Sequence, residues 1–272
     1  MRKFFIIFFI LSGIVSATFI SITTTVSTER IVRDNETPVN LTIVNSGDEP
    51  AYDVLVSLIT SEGLDSNELF PGKLNPNEPY SGEFKIKIDE NVTSGAYNIG
   101  VITDYKDANG YPFSAISTFS FIIKEPTFSR VTTKISEITL GDKETKDLKL
   151  SIRNFDDKPH SIQVELFLPR ELRSDKEKKT LVIDKKSDEE ISFSISSFGA
   201  LPRSNYVIFA TINYEEEGLH YSSSSSGIIH VVEQKGFDIP SWIPIAIVIP
   251  SWISIAAVLI LILIFILYQF RK

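Results

Sequence analysis

The sequence predicts an all-β exterior of two tandem β-sandwiches plus one C-terminal transmembrane helix. Three observations predict it. Short stretches alternate apolar and polar residues with period two, separated by turn residues every eight to twelve positions. One pattern of such stretches occurs twice, at an offset of 109 residues. The stretch from Ile239 to Tyr268 carries no charged side chain.

The chain opens with a basic pair, Arg2 and Lys3, then an apolar run from Phe4 to Val15 and the small residues of Val15-Ser16-Ala17. This three-part pattern is that of a secretory signal peptide, residues 1–17, with cleavage expected after Ala17. Extended to Ile22, the same run reaches 19 residues, just enough for an uncleaved anchor. The strand-like alternation from Thr18 to Thr25 favours cleavage.

The first repeated unit, residues 18–125, is expected to hold strands near Phe19–Val26, Val39–Asn45, Tyr52–Thr60, Tyr80–Ile88, Ala96–Tyr105 and Phe113–Ile123. The second, residues 126–236, repeats them near Arg130–Ile135, Asp147–Asn154, Ile162–Leu168, Thr180–Ile183, Glu190–Ser196, Tyr206–Tyr214 and Ser222–Val232. The repeat is visible residue by residue. Val39, Leu41, Ile43 and Asn45 match Leu148, Leu150, Ile152 and Asn154; Phe84 matches Phe193, Tyr97 matches Tyr206, and Tyr105 matches Tyr214. A register held over sixty residues is a duplicated domain, not a solenoid repeat.

Seven or so half-apolar strands in about 100 residues must cover their apolar faces with a second sheet from the same chain, as in an immunoglobulin-like (Ig-like) β-sandwich. Asn109-Gly110 is a short hairpin signal because both residues of a tight type I′ turn take positive φ; Glu217-Gly218 is its counterpart. Tyr97 and Tyr206 open the penultimate strands, as tyrosine-corner residues or as ordinary core tyrosines. Pro169 and the charges around it predict a loop over Leu166–Lys179. The link at Glu125-Pro126 is short and predicts a stiff, rod-like pair.

The C-terminal run is long enough for a membrane span, residues 240–269, with a short tail at 270–272. Trp242, Trp252 and Tyr268 are suited to the headgroup layers, and Arg271 and Lys272 place that end in the cytoplasm by the positive-inside rule. The helix starts either near Ser241, with Pro250 as a kink, or at Ser251, leaving Pro240–Pro250 as an apolar collar outside. The chain is thus expected to be a single-pass type I membrane protein. Setting aside the two terminal basic pairs leaves 23 basic against 35 acidic residues outside, a net charge of −12. Such a surface repels nucleic acid, so none is expected as a partner.

Four segments of the first unit carry a family resemblance: Pro38-Val-Asn-Leu-Thr-Ile-Val-Asn-Ser-Gly47, Gly72-Lys-Leu-Asn-Pro-Asn77, Thr93-Ser-Gly-Ala-Tyr97 and Asp104-Tyr-Lys-Asp-Ala-Asn-Gly110. They resemble CARDB-type cell-adhesion modules, the Ig-like module associated with α-galactosidases, and S-layer-like domains of archaeal surface proteins. The second unit, Thr145 to Gly227, keeps the spacing but lacks the Ser-Gly-Ala-Tyr wording. The resemblance implies seven-stranded sandwiches on a cell surface, often in tandem and tethered by a terminal helix, with no shared catalytic residues.

Candidate chemistry is sparse. Zero cysteine excludes disulfides, thiolate metal sites and a cysteine nucleophile. His160, His220 and His230 lie in unrelated segments without metal-ligand spacing. Asp104–Gly110 reads as a hairpin turn, with a weak calcium loop as the alternative. Ser222–Ser226 reads as a solvated strand segment, and Asp156-Asp157 and Glu215-Glu216-Glu217 as solvated turn charges. No catalytic, cofactor or metal residues are assigned. Asn35, Asn40 and Asn91 head glycosylation sequons, and the strand alternation turns Asn40 away from the core. The expected function is a non-catalytic surface scaffold, adhesion or envelope-associated protein with protein or glycan partners, held to the lipid bilayer by its C-terminal helix. The alternative is an accessory subunit of a membrane complex, such as an exporter or surface-enzyme assembly. A tethered hydrolase lacks a nucleophile and base.

Overall fold

The computed structural model describes residues 19–141 and 144–233. The expected signal segment 1–17, the span 240–269 with Trp242, Trp252 and Tyr268, and the tail with Arg271 and Lys272 all lie outside the described residues. Among the described residues every regular element is a strand, and no helix is long and apolar enough to cross a membrane.

The first half contains β1 (Ile22–Thr28), β2 (Ile31–Val32), β3 (Glu36–Asn45), β4 (Ala51–Ile59), β5 (Leu64–Ser66), β6 (Leu69–Leu74), β7 (Tyr80–Ile88), β8 (Gly95–Lys106) and β9 (Pro112–Ile123). The second half contains β10 (Val131–Ile135), β11 (Ile138–Gly141), β12 (Thr145–Asn154), β13 (His160–Phe167), β14 (Leu172–Ser174), β15 (Lys178–Ile183), β16 (Asp188–Ser197), β17 (Asn205–Glu216) and β18 (Leu219–Val232). The two halves repeat one topology. Sheets ordered β1-β3-β7-β5 and β10-β12-β16-β14 correspond strand for strand, as do β2-β9-β8-β4-β6 and β11-β18-β17-β13-β15. In both halves the short second strand joins the last strand in parallel, and the other pairings within each half are antiparallel.

Alternation decides which face is core. In β12, Leu148, Leu150 and Ile152 are fully buried while Lys149, Ser151 and Arg153 are exposed. Val39, Leu41 and Ile43 do the same in β3. The sheets of each half close on each other over separate cores. One joins Val39, Leu41 and Phe84 to Val56, Ile99 and Phe121; the other joins Leu148, Leu150 and Phe193 to Val164, Ile208 and Ile212. Truncating one such leucine to alanine costs about 2–5 kcal/mol. Edge strand β6 carries Pro71 and Gly72, and edge strand β15 begins with two lysines, residues that blunt an open edge.

Several expectations are corrected. The short strands β2, β5, β6, β11 and β14 escape the period-two reading because two to six residues carry too little alternation. Leu166–Lys179 holds β14, which pairs with β16 through Leu172 and Ser197. The first strand starts at Ile22, because the Phe19 amide is turned aside to donate to Asp48 Oδ1. At Asn109-Gly110 only the glycine has positive φ, in a loop closed by the Gly110 amide on the Asp107 carbonyl. The tight two-residue turn is at its counterpart, where Glu217 (φ 51°) and Gly218 (φ 75°) join paired Glu216 and Leu219.

Buried asparagines cap the same turn in both halves. Asn45 Nδ2 donates to the carbonyls of Glu49 (2.7 Å) and Leu74 (3.3 Å), and its Oδ1 accepts the Gly47 amide (3.0 Å). Asn154 Nδ2 donates to Lys158 and Asp184, and its Oδ1 accepts the Asp156 amide. An asparagine amide supplies two donor hydrogens and an acceptor together, whereas a serine hydroxyl has one donor hydrogen and an aspartate carboxylate none.

Candidate functional site

The densest set of functional side chains lies where the two halves meet. The halves are joined by far more than the linker: His220 of β18 bridges Gly95 of β8 in parallel, so strands of both halves form one continuous sheet. The His220 amide donates to the Ser94 carbonyl, and Thr127 Oγ1 donates to the His220 carbonyl while accepting the Ala96 amide. Gly95 is required here. It has φ +146°, and a Cβ would lie 1.9 Å from the His220 carbonyl oxygen.

The His220 ring is held on both sides. Nδ1 lies 2.7 Å from the Ala96 carbonyl, which only accepts, so Nδ1 carries the proton. The ring stacks on Tyr97, whose hydroxyl donates to the Thr93 carbonyl four residues upstream (2.6 Å), the tyrosine-corner geometry. Burial lowers the His220 pKa below the usual 6.5, against the raising effects of the Ala96 bond and the Glu215 charge. Burial first, then Glu215, pushes the Tyr97 hydroxyl up to about 12. Both rings are therefore neutral at pH 7. Tyr206, the repeat partner of Tyr97, instead accepts the Leu201 amide on its hydroxyl.

Polar bonds continue across the junction. Asn98 Nδ2 donates to Ser222 Oγ, which donates to Asn213 Oδ1, both at 2.7 Å. Ser222 is therefore a buried junction residue, not a solvated one. Glu171, directly before β14, is 2 % exposed; its Oε1 accepts the amide of Ser114 on β9 (3.1 Å) and Oε2 faces the Ser114 hydroxyl (3.4 Å). Burial pushes this carboxyl up to about 7, with those hydrogen bonds opposing the rise. Arg170 beside it reaches Asp104 at 3.5 Å.

Next to the Tyr97–His220 stack opens a polar cleft of about 780 Å³, walled by the Thr60–Gly63 turn and the 89–93 segment on one side and by Gln163, Glu165 and Lys178 on the other. Glu165 is neutralised by Lys178 at 3.0 Å, and Glu215 accepts the Thr93 hydroxyl. This wall offers hydroxyl, amide and carboxylate contacts and is suited to binding rather than to acid–base chemistry. Among the described residues no nucleophile is aligned with a base and an orienting group.

Elsewhere, folding gathers residues that are distant in sequence. His160, buried, has Nε2 3.0 Å from Asp156 Oδ2 and Nδ1 3.9 Å from Glu216 Oε2. One donor atom from each of these three lies within 4.8 Å of the others. Lys158 holds Glu216 at 2.9 Å and Glu217 at 3.1 Å, so a cation would have to displace an ammonium already in place. The Asp156 carboxyl is held low first by the Asp157 amide, then by His160. The Asp107 carboxylate is engaged by the Asn109 and Tyr111 amides of its own turn. Asn35, Asn40 and Asn91 are all exposed, and Asn40 points away from the core between Val39 and Leu41.

Glu171 had no signal in the sequence, because it sits in a stretch that reads as a charged loop. His220 had none beyond its type. Tyr97 was legible through its place at the head of a penultimate strand.

No family model matches the chain, and no curated protein matches it. Among solved structures it is similar to a Salmonella alpha-2-macroglobulin reacted with methylamine, at 13 % identity and TM-score 0.33, over 78 % of this chain and 16 % of that one. Native Escherichia coli alpha-2-macroglobulin gives 12 % and 0.31 over 77 % and 17 %. The E. coli chaperone DraB gives 11 % and 0.29 over 38 % and 55 %. The chain spans less than a fifth of the length of these macroglobulins. Likeness at this level carries no argument about partners or activity.

Proposed function

We propose that the chain is a membrane-anchored, non-catalytic surface protein: two tandem Ig-like β-sandwiches held outside the cell, after removal of the signal segment, by a helix over residues 240–269. It acts as a scaffold, adhesion or envelope-associated protein that binds protein or glycan partners. One observation carries this reading. The same nine-strand topology occurs twice, and the buried polar groups where the halves meet are committed to hydrogen bonds that join them. Such a body presents surfaces in a set geometry. The charge-free run from Ile239 to Tyr268 supports the anchor.

Protease treatment of intact cells, followed by crosslinking and mass spectrometry of untreated cells, tests it. Loss of the exterior under protease and crosslinks to envelope or neighbouring-cell components are expected. A single stoichiometric multi-span partner would replace the scaffold reading with that of an accessory subunit, and full protection from protease would overturn the topology.

A further inference from the structure

The duplicated topology gives each feature of the second half an internal control in the first. The loop between β16 and β17 contains Phe198-Gly-Ala-Leu-Pro-Arg203; at the same place in the first half, between β7 and β8, the chain reads Asp89-Glu-Asn-Val-Thr-Ser94. An acidic, sequon-bearing loop has been exchanged for an apolar and basic one. The neighbouring strand changes in the same sense: the middle residue of β5 is Asp65, that of β14 is Arg173.

The exchange does not serve the core. Phe198 is 56 % exposed and Leu201 49 % exposed, while Ala200 between them is buried. The loop is fixed in this display. The Phe198 amide donates to the Glu171 carbonyl, the Leu201 amide to the Tyr206 hydroxyl, and the Arg203 amide to the Val231 carbonyl. Gly199 takes φ +88°, which turns the backbone between the two exposed side chains. The guanidinium of Arg173 lies over the Phe198 ring, 3.3 Å from its centroid. Two large apolar side chains held outward by a pinned loop lose little conformational freedom on being covered.

What covers them follows from the position of the loop. Arg203 Nη2 is 2.8 Å from Glu233 Oε2, so the loop lies beside the end of β18. Val232, 43 % exposed, adds apolar surface there. The charge-free run starts at Ile239, six residues after Glu233. Six residues span at most about 20 Å. The first-half loop instead faces the second half at the junction, where Thr93 bonds Glu215 and Ser94 bonds His220, and it keeps its acidic residues.

We infer that the Phe198–Arg203 loop seats in the outer-leaflet interface of the bilayer, with Phe198 and Leu201 entering the headgroup–acyl boundary and the Arg173 guanidinium beside them facing headgroup phosphates. This rests on the proposed anchor. It adds a second, non-covalent contact with lipid. Partial burial of aromatic and aliphatic side chains with adjacent arginine is the chemistry of interfacial attachment.

The chain has no cysteine, so single-cysteine variants label cleanly. Full-length L201C and, separately, E90C would carry an environment-sensitive fluorophore in phosphatidylcholine vesicles containing phosphatidylglycerol. Quenching by doxyl lipids and by aqueous iodide would be compared, with flotation reporting anchorage. The label at 201 is expected to be blue-shifted and quenched several-fold more by doxyl lipid than by iodide, and the label at 90 the reverse. A floating protein whose label at 201 is quenched by iodide as freely as that at 90 overturns the inference and leaves the anchor standing. A label at 201 shielded from both quenchers also overturns it, in favour of protein docking on this loop. Failure to float removes the anchor itself. An F198C variant repeats the test should L201C misfold.

Discussion

The rings of Tyr97 and His220 stack across the junction of the two halves, with centroids 4.0 Å apart and planes 5° from parallel. Each ring is also hydrogen-bonded to backbone of β8 or the loop before it, so the pair couples a side chain of the second half to the entry of the first-half hairpin. His220→Ala removes the stack and leaves the Ala96 carbonyl without its donor. The expected loss is about 2–4 kcal/mol, measured as a lower urea midpoint. The native pKa of His220 is depressed, so protonation is resisted in the folded state. Wild-type stability from this group is complete above pH 6.5 and declines as pH falls below it; the variant lacks that decline.

Glu171 has the opposite dependence. Its native pKa of about 7 lies above the ordinary 4.5. The folded state therefore holds its proton more tightly, and stability falls as pH rises from about 4.5 through about 7. Glu171→Gln keeps an acceptor for the Ser114 amide and removes the charge. It is expected to stabilise the protein by about 1–3 kcal/mol at pH 8 and to make no difference near pH 4. Urea titrations at the two pH values check this; equal gains at both would rule out ionisation as the cause.

Two glycines with positive φ separate strain from clash. Gly110→Ala at φ +82° meets open space and is expected to cost about 1–2 kcal/mol, the strain of a left-handed residue. Gly95→Ala at φ +146° also drives a methyl into the His220 carbonyl. It is expected to cost several-fold more and to break the β8–β18 bridge. The readout is faster hydrogen exchange at the His220 amide together with new protease cleavage between residues 124 and 129.

The paired asparagines offer a test of the repeat itself. Asn45→Ala and Asn154→Ala each take the side-chain donor from two carbonyls and the acceptor from one turn amide. Each is expected to cost about 2–4 kcal/mol. Similar losses at the two sites in thermal unfolding are the expected outcome; a tolerated change at either would show that water takes over its bonds.

Legibility followed the range of the physics. Alternation in β3 and β12 disclosed the core residues, because a strand's period is a local property that burial then satisfies. The offset relating Asn45 to Asn154 and Tyr97 to Tyr206 disclosed the duplication, because equivalent positions face equivalent demands. The three-residue strands β5 and β14 were illegible: their pairing is contributed by β7 and β16, not by their own few side chains. The Asn109-Gly110 turn went to a wider loop because the Asp107 carboxylate captures two amides there.

By itself, then, the amino-acid order determined an all-β chain with a repeated pattern, apolar termini and an acidic middle, since composition, period and spacing are properties of the chain in one dimension. Only the tertiary structure decided that His220 would lie on Tyr97, that Glu171 would be buried against Ser114, and that the loop holding Phe198 and Leu201 would sit beside the end of β18. Those are meetings between segments tens to more than a hundred residues apart, brought about by two sheets closing over each core and by one sheet continuing from half to half.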